Sequence, residues 1–528
     1  MHQCLSIPEV IRHICDEADL KTSLSMALTS RAHLDPALDR IWAHLDSFEP
    51  IISCLPSNLW KPKSIPSPNG HGTLNILSLH RAIDLEDIHR YTTFYAPRIR
   101  TMAPTPSKRM LAIEAFHGLQ LATNAKPGAL APNLRTFEWC SPTTLQGSFG
   151  DDFSRQLSAF MSLFIGESVT SITSKTSENV PLHIAAMKST IQRLPRLRKL
   201  DIADLKHEPA TDYYLSHVSL DYLEDLTMNS LSPDMVTHLS FLPRLRRLRV
   251  SDNRSAEEHD TAWTGVVPNP PRKRNGFPCL EEVEVNSDRP TSLLSILQSL
   301  PPANPLRAIS CHAKAFCSTQ EWQLVLDTVG KFCNAERLTS LNLIDGLGVR
   351  MGRLEEPLDV KLCDEVKIPP ILYQFKKIRS LDLCFQGGVE VTGDVANKVA
   401  DAWPRLFGLT LIPTGYRFNR VPSINHKHLV QLLKKLRCLV FLALQFDTTQ
   451  LTDHEPLPTE ESSLKLFLVG ASPICSPSRV VTFIKANIPN LEELHTVYKG
   501  RGSNPETTML DKRWDVVQKE LRDYYQWT

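Results

Sequence analysis

Glycine-rich and serine-containing segments are the first places where catalysis or phosphate binding could occur. Residues 387–394, GGVEVTGD, superficially match a phosphate-binding loop, but such a loop needs a lysine and a hydroxyl residue after its last glycine, and Asp394 and Val395 stand there. Residues 470–472, GAS, lack the second glycine of a nucleophile elbow. No serine has a paired histidine and aspartate at a recognisable spacing. We therefore expect a non-enzymatic protein without a nucleotide site.

Histidine and cysteine residues are the next candidates, because both bind zinc. His426 and His428 lie two residues apart, but no cysteine or carboxylate cluster near them supplies further ligands. None of the 12 cysteines belongs to a C-x-x-C pair, and several, such as Cys384 and Cys438, lie singly inside apolar runs. A buried free thiol behaves as a small apolar side chain and persists in a reducing compartment. The sequence predicts no metal, no other cofactor and an intracellular location, in the cytoplasm or nucleus.

Composition and charge indicate which partners are not expected. The 528 residues carry a net charge of +1, without the basic excess of a nucleic-acid binder. No run of about 18 apolar residues occurs, so we expect no membrane span. The first residues include His, Glu and Asp where a signal peptide needs an unbroken apolar stretch. Arg272-Lys273-Arg274 is interpreted either as a solvated loop or as a nuclear-import signal.

A recurring phrase organises the chain: proline, any residue, then apolar residues at offsets two, five and seven. Copies begin at Pro132, Pro195, Pro243, Pro278, Pro404 and Pro489. The same apolar ladder without the proline begins at Leu223, Leu306, Leu338, Ile378 and Leu439. The copies recur about every 30 residues, a period typical of stacked repeats.

Each ladder predicts a short strand, because its last two apolar residues lie two apart and share one strand face. Helical spacing occurs between the ladders, at 184–194, 235–242, 293–300, 322–332, 395–403, 429–436 and 480–488. Several of these segments stop at the recurring proline, which cannot continue a helix. One strand and one helix bury too little apolar surface alone, so the repeats must stack. We predict an α/β fold with parallel strands on one side and helices on the other.

These ladders resemble the irregular, helix-backed leucine-rich-repeat family across residues 130–500. The family often places an asparagine three residues after the last ladder position, where Asn253 fits and other repeats carry different residues. The resemblance implies an irregular solenoid with parallel strands on the concave side and helices on the convex side. Residues 251–276 and 344–370 interrupt the period and are predicted to be surface loops.

Residues 5–45 have a different pattern, which predicts three short amphipathic helices. Ser6 can cap the first helix. Pro8 and Glu9 then occupy the first turn, where a missing N–H and a negative charge are both favourable. A unit this small would gain stability by burying its apolar face on a partner.

The same residues resemble an F-box, the helical module that docks on the Skp-type adaptor of cullin–RING ubiquitin ligases. Ile7-Pro8 matches the family's leucine-proline start, Ile41-Trp42 matches its closing pair, and Thr29-Ser30 replaces its usual Val-Cys. With the repeats that follow, the chain looks like the divergent F-box proteins with leucine-rich repeats that are abundant in fungi. The resemblance implies adaptor contacts at Ile7, Pro8, Glu9, Ile11, Ile14, Leu20, Leu24, Ile41 and Trp42.

The predicted organisation is an F-box-like helical module at 1–50, a proline-rich linker at 51–72, the repeat solenoid at 73–505 and a helical cap at 506–528. An F-box would make the protein the substrate-recognition subunit of a Skp–cullin–F-box ubiquitin ligase, whose partner subunits transfer ubiquitin. Two alternatives stay open. The N-terminal helices are only a cap on the first repeat, or the protein is a leucine-rich-repeat scaffold or sensor with no ligase link.

The target-binding surface is predicted from residues that alternate with the ladder and so point away from the core. The predicted partner contacts are Arg198, Asp201, Arg247, Arg249, Glu284, Asn342 and Asp382. The basic residues from Arg198 to Arg249 are expected to meet an acidic patch on an unknown protein target, unless they form only a solvated surface.

Overall fold

A computed structural model describes residues 7–66, 73–104, 110–139, 158–174, 181–203, 215, 220–229, 231–251, 276–315, 317–346, 364–414, 421–452, 462–496 and 505–525. The chain divides into two compact units. Unit 1 comprises Met1–Ser230 and Leu242–Leu245, and unit 2 comprises Leu231–Phe241 and Arg246–Thr528.

Unit 1 combines helices with two sheets. Its helices are α1 (Pro8–Glu17), α2 (Leu20–Thr29), α3 (Arg31–Ala43), α4 (Glu49–Cys54), α5 (Leu85–Arg90), α6 (Ile113–Ala122) and α7 (Pro181–Ile191). Its strands are β1 (His44–Leu45), β2 (Trp60–Pro66), β3 (Thr73–Leu79), β4 (Thr101–Met102), β5 (Met110–Leu111), β6 (Thr136–Trp139), β7 (Ser171–Ser174), β8 (Lys199–Ile202) and β9 (Asp225–Met228). Strands β1, β4, β6, β7, β8 and β9 pair in that order, all parallel. Strands β2, β3 and β5 form the second sheet.

Unit 2 repeats one strand and one connection, often helical, along its length. Its helices are α8 (Pro233–Ser240), α9 (Thr291–Gln298), α10 (Thr319–Phe332), α11 (Gly393–Ala402), α12 (His426–Lys435), α13 (Pro477–Asn487) and α14 (Pro505–Tyr525). Its strands are β10 (Arg247–Ser251), β11 (Glu282–Ser287), β12 (Ala308–Ala313), β13 (Ser340–Asp345), β14 (Ser380–Cys384), β15 (Gly408–Leu411), β16 (Phe441–Leu444), β17 (Leu466–Leu468) and β18 (Glu493–His495). Each strand pairs in parallel with the next one in the chain.

The α/β class and the parallel strands are confirmed. The ladder residues whose burial the structure describes are buried as predicted, with Leu248 and Leu409 among them. All seven segments with helical spacing contain helices, each beginning two or three residues before the first apolar residue. The earlier start follows from the polar caps, such as Ser318 and Asn425, whose side chains accept backbone N–H groups of the first turn.

The N-terminal helices continue directly into the parallel sheet. Strand β1 follows α3 without a break and pairs with β4. The range predicted to be a linker contains most of α4, a 3-10 turn at Ser57–Leu59 and strand β2, while residues 67–72 lie outside the described residues. Because β2 is an edge strand, its prolines Pro62 and Pro66 remove no internal ladder hydrogen bond.

Helix α14 packs on the last part of unit 2. Trp514 is buried and donates its indole N–H to the Ser472 carbonyl at 2.9 Å. Gln518 donates to the Leu494 carbonyl of β18 at 2.8 Å. None of the described helices has both the length and the apolar character that crossing a membrane requires.

Much of the two predicted loops lies outside the described residues, namely 252–275 and 347–363. Asn253 and the basic run Arg272-Lys273-Arg274 belong to the first of these stretches.

Truncating Leu409 to alanine should destabilise unit 2 by about 2–5 kcal/mol, because the removed atoms leave a cavity in the core. Contacts between stacked repeats are local, so hydrogen exchange should rise first around residues 375–445. Phe407→Ala is the control, since Phe407 belongs to the same repeat and is 57% exposed. Uniform loss of protection along the chain would instead indicate one globular core.

Candidate interaction surfaces

The second N-terminal helix presents its large apolar residues to solvent. Leu20, Leu24 and Leu28 recur every fourth residue on one face of α2 and are 59, 54 and 80% exposed. The other face carries buried Ser23 and half-buried Ala27, which packs against a small core shared by α1 and α3. A surface helix ordinarily turns its leucines inward, so this arrangement leaves an apolar face for a partner.

The first helix adds exposed residues to the predicted adaptor contacts. Ile7 and Ile14 are seven residues apart, which places them on one face of the helix, and both are exposed. Pro8 and Glu9 of the first turn are exposed as well. Ile11 differs, because it is buried in the small core between α1 and α3.

The closing pair of the predicted contacts faces inward. The Trp42 ring is buried and lies 6.3 Å from the Tyr91 ring and 4.6 Å from the Tyr95 ring, measured between centroids. Ile41 is half-buried. Trp42 therefore has little surface left for a partner and instead fixes α3 within unit 1.

An ion-pair cluster holds the same helix. Arg98 donates to the Asp35 carboxylate at 2.7 Å, to the Asp35 carbonyl at 3.1 Å and to the Asp39 carboxylate. A guanidinium that binds several oxygens at once fixes geometry as well as charge. Helix α3 is thus attached to the rest of unit 1 through the Trp42 ring and the Asp35 and Asp39 carboxylates, while the leucines of α2 are exposed.

The outward residues of unit 2 form a continuous row across the strands. The row runs through Arg249, Glu284, Ser310, Asn342, Asp382 and Thr410, each paired with the next. It contains four of the seven predicted partner contacts. Arg247 lies two residues earlier on β10, and Arg198 and Asp201 lie near or in β8 of unit 1.

Two of the predicted basic contacts already have carboxylate partners. Arg249 Nε lies 3.5 Å from Glu284 Oε2 in unit 2, and Arg198 Nη1 lies 3.8 Å from Glu224 Oε1 in unit 1. Such partly exposed pairs contribute up to about 1 kcal/mol each. An acidic target would have to compete with these glutamates for the arginines.

Asp382 and Asn342 form the polar centre of the row. The Asp382 carboxylate accepts hydrogen bonds from the Thr410 and Ser380 hydroxyls, and no cation of the described residues pairs with it. The neighbouring Asn342 Oδ1 is buried and accepts no hydrogen bond from any described residue. The half-buried Asp382 carboxylate is therefore the group of this pair that a cation from a partner could reach.

The C-terminal part of the same strand face is apolar, which the sequence reasoning missed. Cys384, Ile412 and Ala443 are buried together, and Ile344, Phe441 and Leu468 pack half-buried against them. These residues alternate in sequence with the buried ladder residues. Their apolar character was therefore already visible in the sequence, at the positions that alternate with the ladder. Cys384, Ile412 and Ala443 have little surface left for a partner, so only the half-buried Ile344, Phe441 and Leu468 are available for apolar contact.

A buried carboxylate joins three neighbouring repeats of unit 2. Asp345 at the end of β13 accepts the Cys317 N–H at 2.9 Å and the Gln386 N–H at 3.2 Å. Burial raises the pKa of Asp345 to about 6, against the opposing effect of these two N–H donors. The Glu321 carboxylate raises this pKa further and is bound by Arg289 at 2.6 Å. Asp345 lies one residue before the position at which leucine-rich repeats often carry an asparagine.

Two of the three segments tested for site chemistry, 387–394 and 426–428, lie at helix N-termini. The Thr392 hydroxyl accepts the Val395 N–H, so Asp394 lies in the first turn of α11. The Asn425 side chain accepts the His428 N–H, and His428 Nδ1 accepts the Asn425 N–H in return. In the described ranges, no three His, Cys, Asp or Glu side chains are grouped as metal ligands would be.

No protein-family model matches this chain, and no curated protein has a matching sequence. The proposed function therefore rests on the surfaces described above.

Asp345 should make the stability of unit 2 depend on pH. Its raised pKa of about 6 means that the folded chain holds this proton more tightly than the unfolded chain, whose ordinary value is 3.8. The resulting stabilisation, about 3 kcal/mol, is fully present below about pH 4 and is lost as the pH rises through about 6. Chemical denaturation across this range measures the loss.

Asp345→Asn removes this titration, so the variant should lose less stability than the wild type between about pH 4 and pH 7. The matched control is Asp327→Asn, since Asp327 is an exposed carboxylate of α10. Identical pH profiles for wild type and Asp345→Asn would contradict the assignment.

Proposed function

We propose that this protein is the substrate receptor of a Skp–cullin–F-box ubiquitin ligase. In this proposal the N-terminal helices are an F-box that docks the adaptor, and the strand–helix repeats are a leucine-rich-repeat solenoid that binds a protein target. The observation that carries the proposal is the exposed leucine face of α2, and Ile7 and Ile14 of α1 are exposed as well.

The apolar face gains free energy when a partner covers it. Burying one leucine fully stabilises by about 1.5–3 kcal/mol, and Leu20, Leu24 and Leu28 are all more than half exposed. Single exposed leucines are common on protein surfaces, whereas a contiguous apolar face marks an interaction site. Leu20 and Leu24 also occupy the leucine positions of the F-box resemblance, which supports an adaptor as the occupant.

The attachment of α3 fits the role of a rigid receptor. Trp42 and Arg98 bind α3 to the rest of unit 1, so an adaptor on α1 and α2 need not displace it. A docked adaptor would then be held by packed side chains instead of a flexible tether. A receptor of this kind needs no catalytic group, since partner subunits carry ubiquitin, and it works in the cytoplasm or nucleus.

Target binding is assigned to the strand face of the repeats, on its proposed concave side. Asp382 offers a half-buried carboxylate, and the half-buried Phe441 and Leu468 offer apolar contact. Polar groups that fix orientation beside an apolar anchor are the usual composition of a protein interface.

A scaffold or sensor with no ligase link is the second candidate. The burial of Trp42 favours it, because a buried Trp42 offers an adaptor little surface at one of the predicted contacts. The two candidates differ in whether the α2 face binds a Skp-type adaptor.

Leu20→Lys with Leu24→Lys should weaken capture of a Skp-type adaptor at least about tenfold, because two charges would be buried at the centre of the contact. The measurement is copurification or titration of the purified chain with the adaptor. Leu121→Lys is the matched control, since Leu121 is 79% exposed on α6 of the same unit. Trp42→Ala is unsuitable, because loss of a buried ring should destabilise unit 1.

Equal capture by the wild type and the double variant would reject the α2 face as the docking site. Absence of capture by the wild type would favour the scaffold.

A further inference from the structure

The turns that precede the strands of unit 2 lie along one edge of its sheet, because neighbouring strands run parallel. Backbone hydrogen bonds connect these turns in order, from the Thr339 N–H to the Arg307 carbonyl at 2.8 Å and from the Arg379 N–H to the Thr339 carbonyl at 2.7 Å. In the same way, the Phe407 N–H donates to the Arg379 carbonyl at 2.7 Å, and the Val440 N–H donates to the Phe407 carbonyl at 2.9 Å. Arg307, Thr339, Arg379, Phe407 and Val440 therefore form a row.

A second row lies two residues earlier in each turn, directly before the first ladder residue. It holds Arg337, Lys377 and Arg405 in three consecutive repeats. Neighbouring strands of a sheet are about 4.8 Å apart, so the two rows bring several cations close together on one edge. We call Arg307, Arg337, Arg379 and Arg405 the basic edge.

The charge of the basic edge is not balanced by acidic residues. The turns at 299–307, 333–339, 375–379 and 403–407 contain six basic residues and one acidic residue, Glu336, and Glu281 precedes Arg307 in the first row. Glu336 lies 3.7 Å from Lys377, whereas each arginine of the basic edge is exposed and has no carboxylate partner among the described residues. Since the whole chain has a net charge of +1, this excess reflects segregation of charge along one edge.

Like charges on adjacent strands destabilise a sheet, so the basic edge favours binding of an anion that offsets their repulsion. The arginines predicted from the sequence differ, because Arg249 and Arg198 already lie beside glutamates. The basic edge is therefore the better positive surface of unit 2.

We propose that the basic edge binds an acidic segment of the target protein. This deepens the proposed function, since it rests on the repeats acting as a receptor for a protein. Carboxylates of the segment would pair with the arginines, whose planar donor groups bind carboxylates bidentately. An apolar residue of the segment would pack on Phe407, which is 57% exposed inside the row, and on half-buried Val440.

A protein segment fits this edge better than a nucleic acid. Arginines around a single aromatic residue are typical of protein interfaces. Single-stranded nucleic acids bind to several aromatic side chains on which successive bases stack. Among the aromatic residues of the turns that carry the basic edge, Phe375 and Trp403 are buried and Phe407 alone is exposed for such stacking.

The test uses the purified full chain and fluorescence anisotropy. The probe is a short labelled peptide rich in glutamate with a central leucine, and its comparisons are the same peptide with lysine for glutamate and a short single-stranded DNA. Arg337→Glu with Arg379→Glu and Arg405→Glu should weaken glutamate-peptide binding at least about tenfold and lower its salt dependence. The lysine peptide should not bind the wild type.

The matched control reverses three exposed lysines on helices of unit 2, namely Lys398, Lys427 and Lys519, and therefore makes the same change in net charge. It should keep binding within about twofold of the wild type, which separates a local site from a general effect of charge. Circular dichroism checks that each variant is folded.

Three results would overturn the proposal. They are wild-type binding that survives reversal of the basic edge, loss of binding only on reversal of Arg247 and Arg249, and tighter binding of the DNA than of the glutamate peptide. No adaptor is present in this assay, so failure of adaptor docking leaves its outcome unaffected.

Discussion

The parallel register of the strands is the constraint on which the rest of unit 2 depends. Leu248, Val283, Ile309, Leu341, Leu381, Leu409, Leu442, Phe467 and Leu494 pair each with the next and are all buried. A single repeat would leave its ladder residue in water, because one short strand and one helix cannot cover it. Burial of this row requires every strand to keep the same register as its neighbours, since a shift of one residue would turn the ladder outward.

The same register arranges the surface, because residues at equivalent positions become neighbours. Where neighbours carry opposite charge, as in Arg249 and Glu284, the surface is close to neutral. Where successive turns carry Arg337, Lys377 and Arg405, positive charge accumulates. The composition of the chain is balanced, so the folded order of the residues creates a charged surface that the total charge does not indicate.

Stacking also explains the buried carboxylate. Each repeat leaves backbone N–H groups in the segment after its strand, and buried donors need acceptors. Asp345 supplies two oxygens to N–H groups of the repeats before and after its own, at Cys317 and Gln386. Its burial disfavours the charged form, so a connection between three repeats is also a group whose protonation affects their stability.

In the N-terminal helices, one set of residues packs against neighbouring elements and another set is exposed to solvent. Ser23 and Ala27 allow α2 to pack closely on its neighbours with small side chains, and its leucines are left outside. Helix α3 is instead attached to unit 1 through the Trp42 ring and the carboxylates of Asp35 and Asp39, and it leads directly into β1. The proposed adaptor site therefore combines a firmly attached helix, α3, with the exposed leucine face of α2.

The sequence by itself determined the strands and helices of the repeats and the α/β class, because apolar residues at offsets such as those of Leu338, Leu341 and Leu343 must share one buried face. It did not determine which way Trp42 faces or that Pro62 lies in an edge strand, since both depend on contacts with residues distant in the chain. The basic edge and the Asp345 connection were also decided only by the tertiary structure. Their successive residues are 26 to 42 positions apart in sequence and become neighbours only when parallel strands pair.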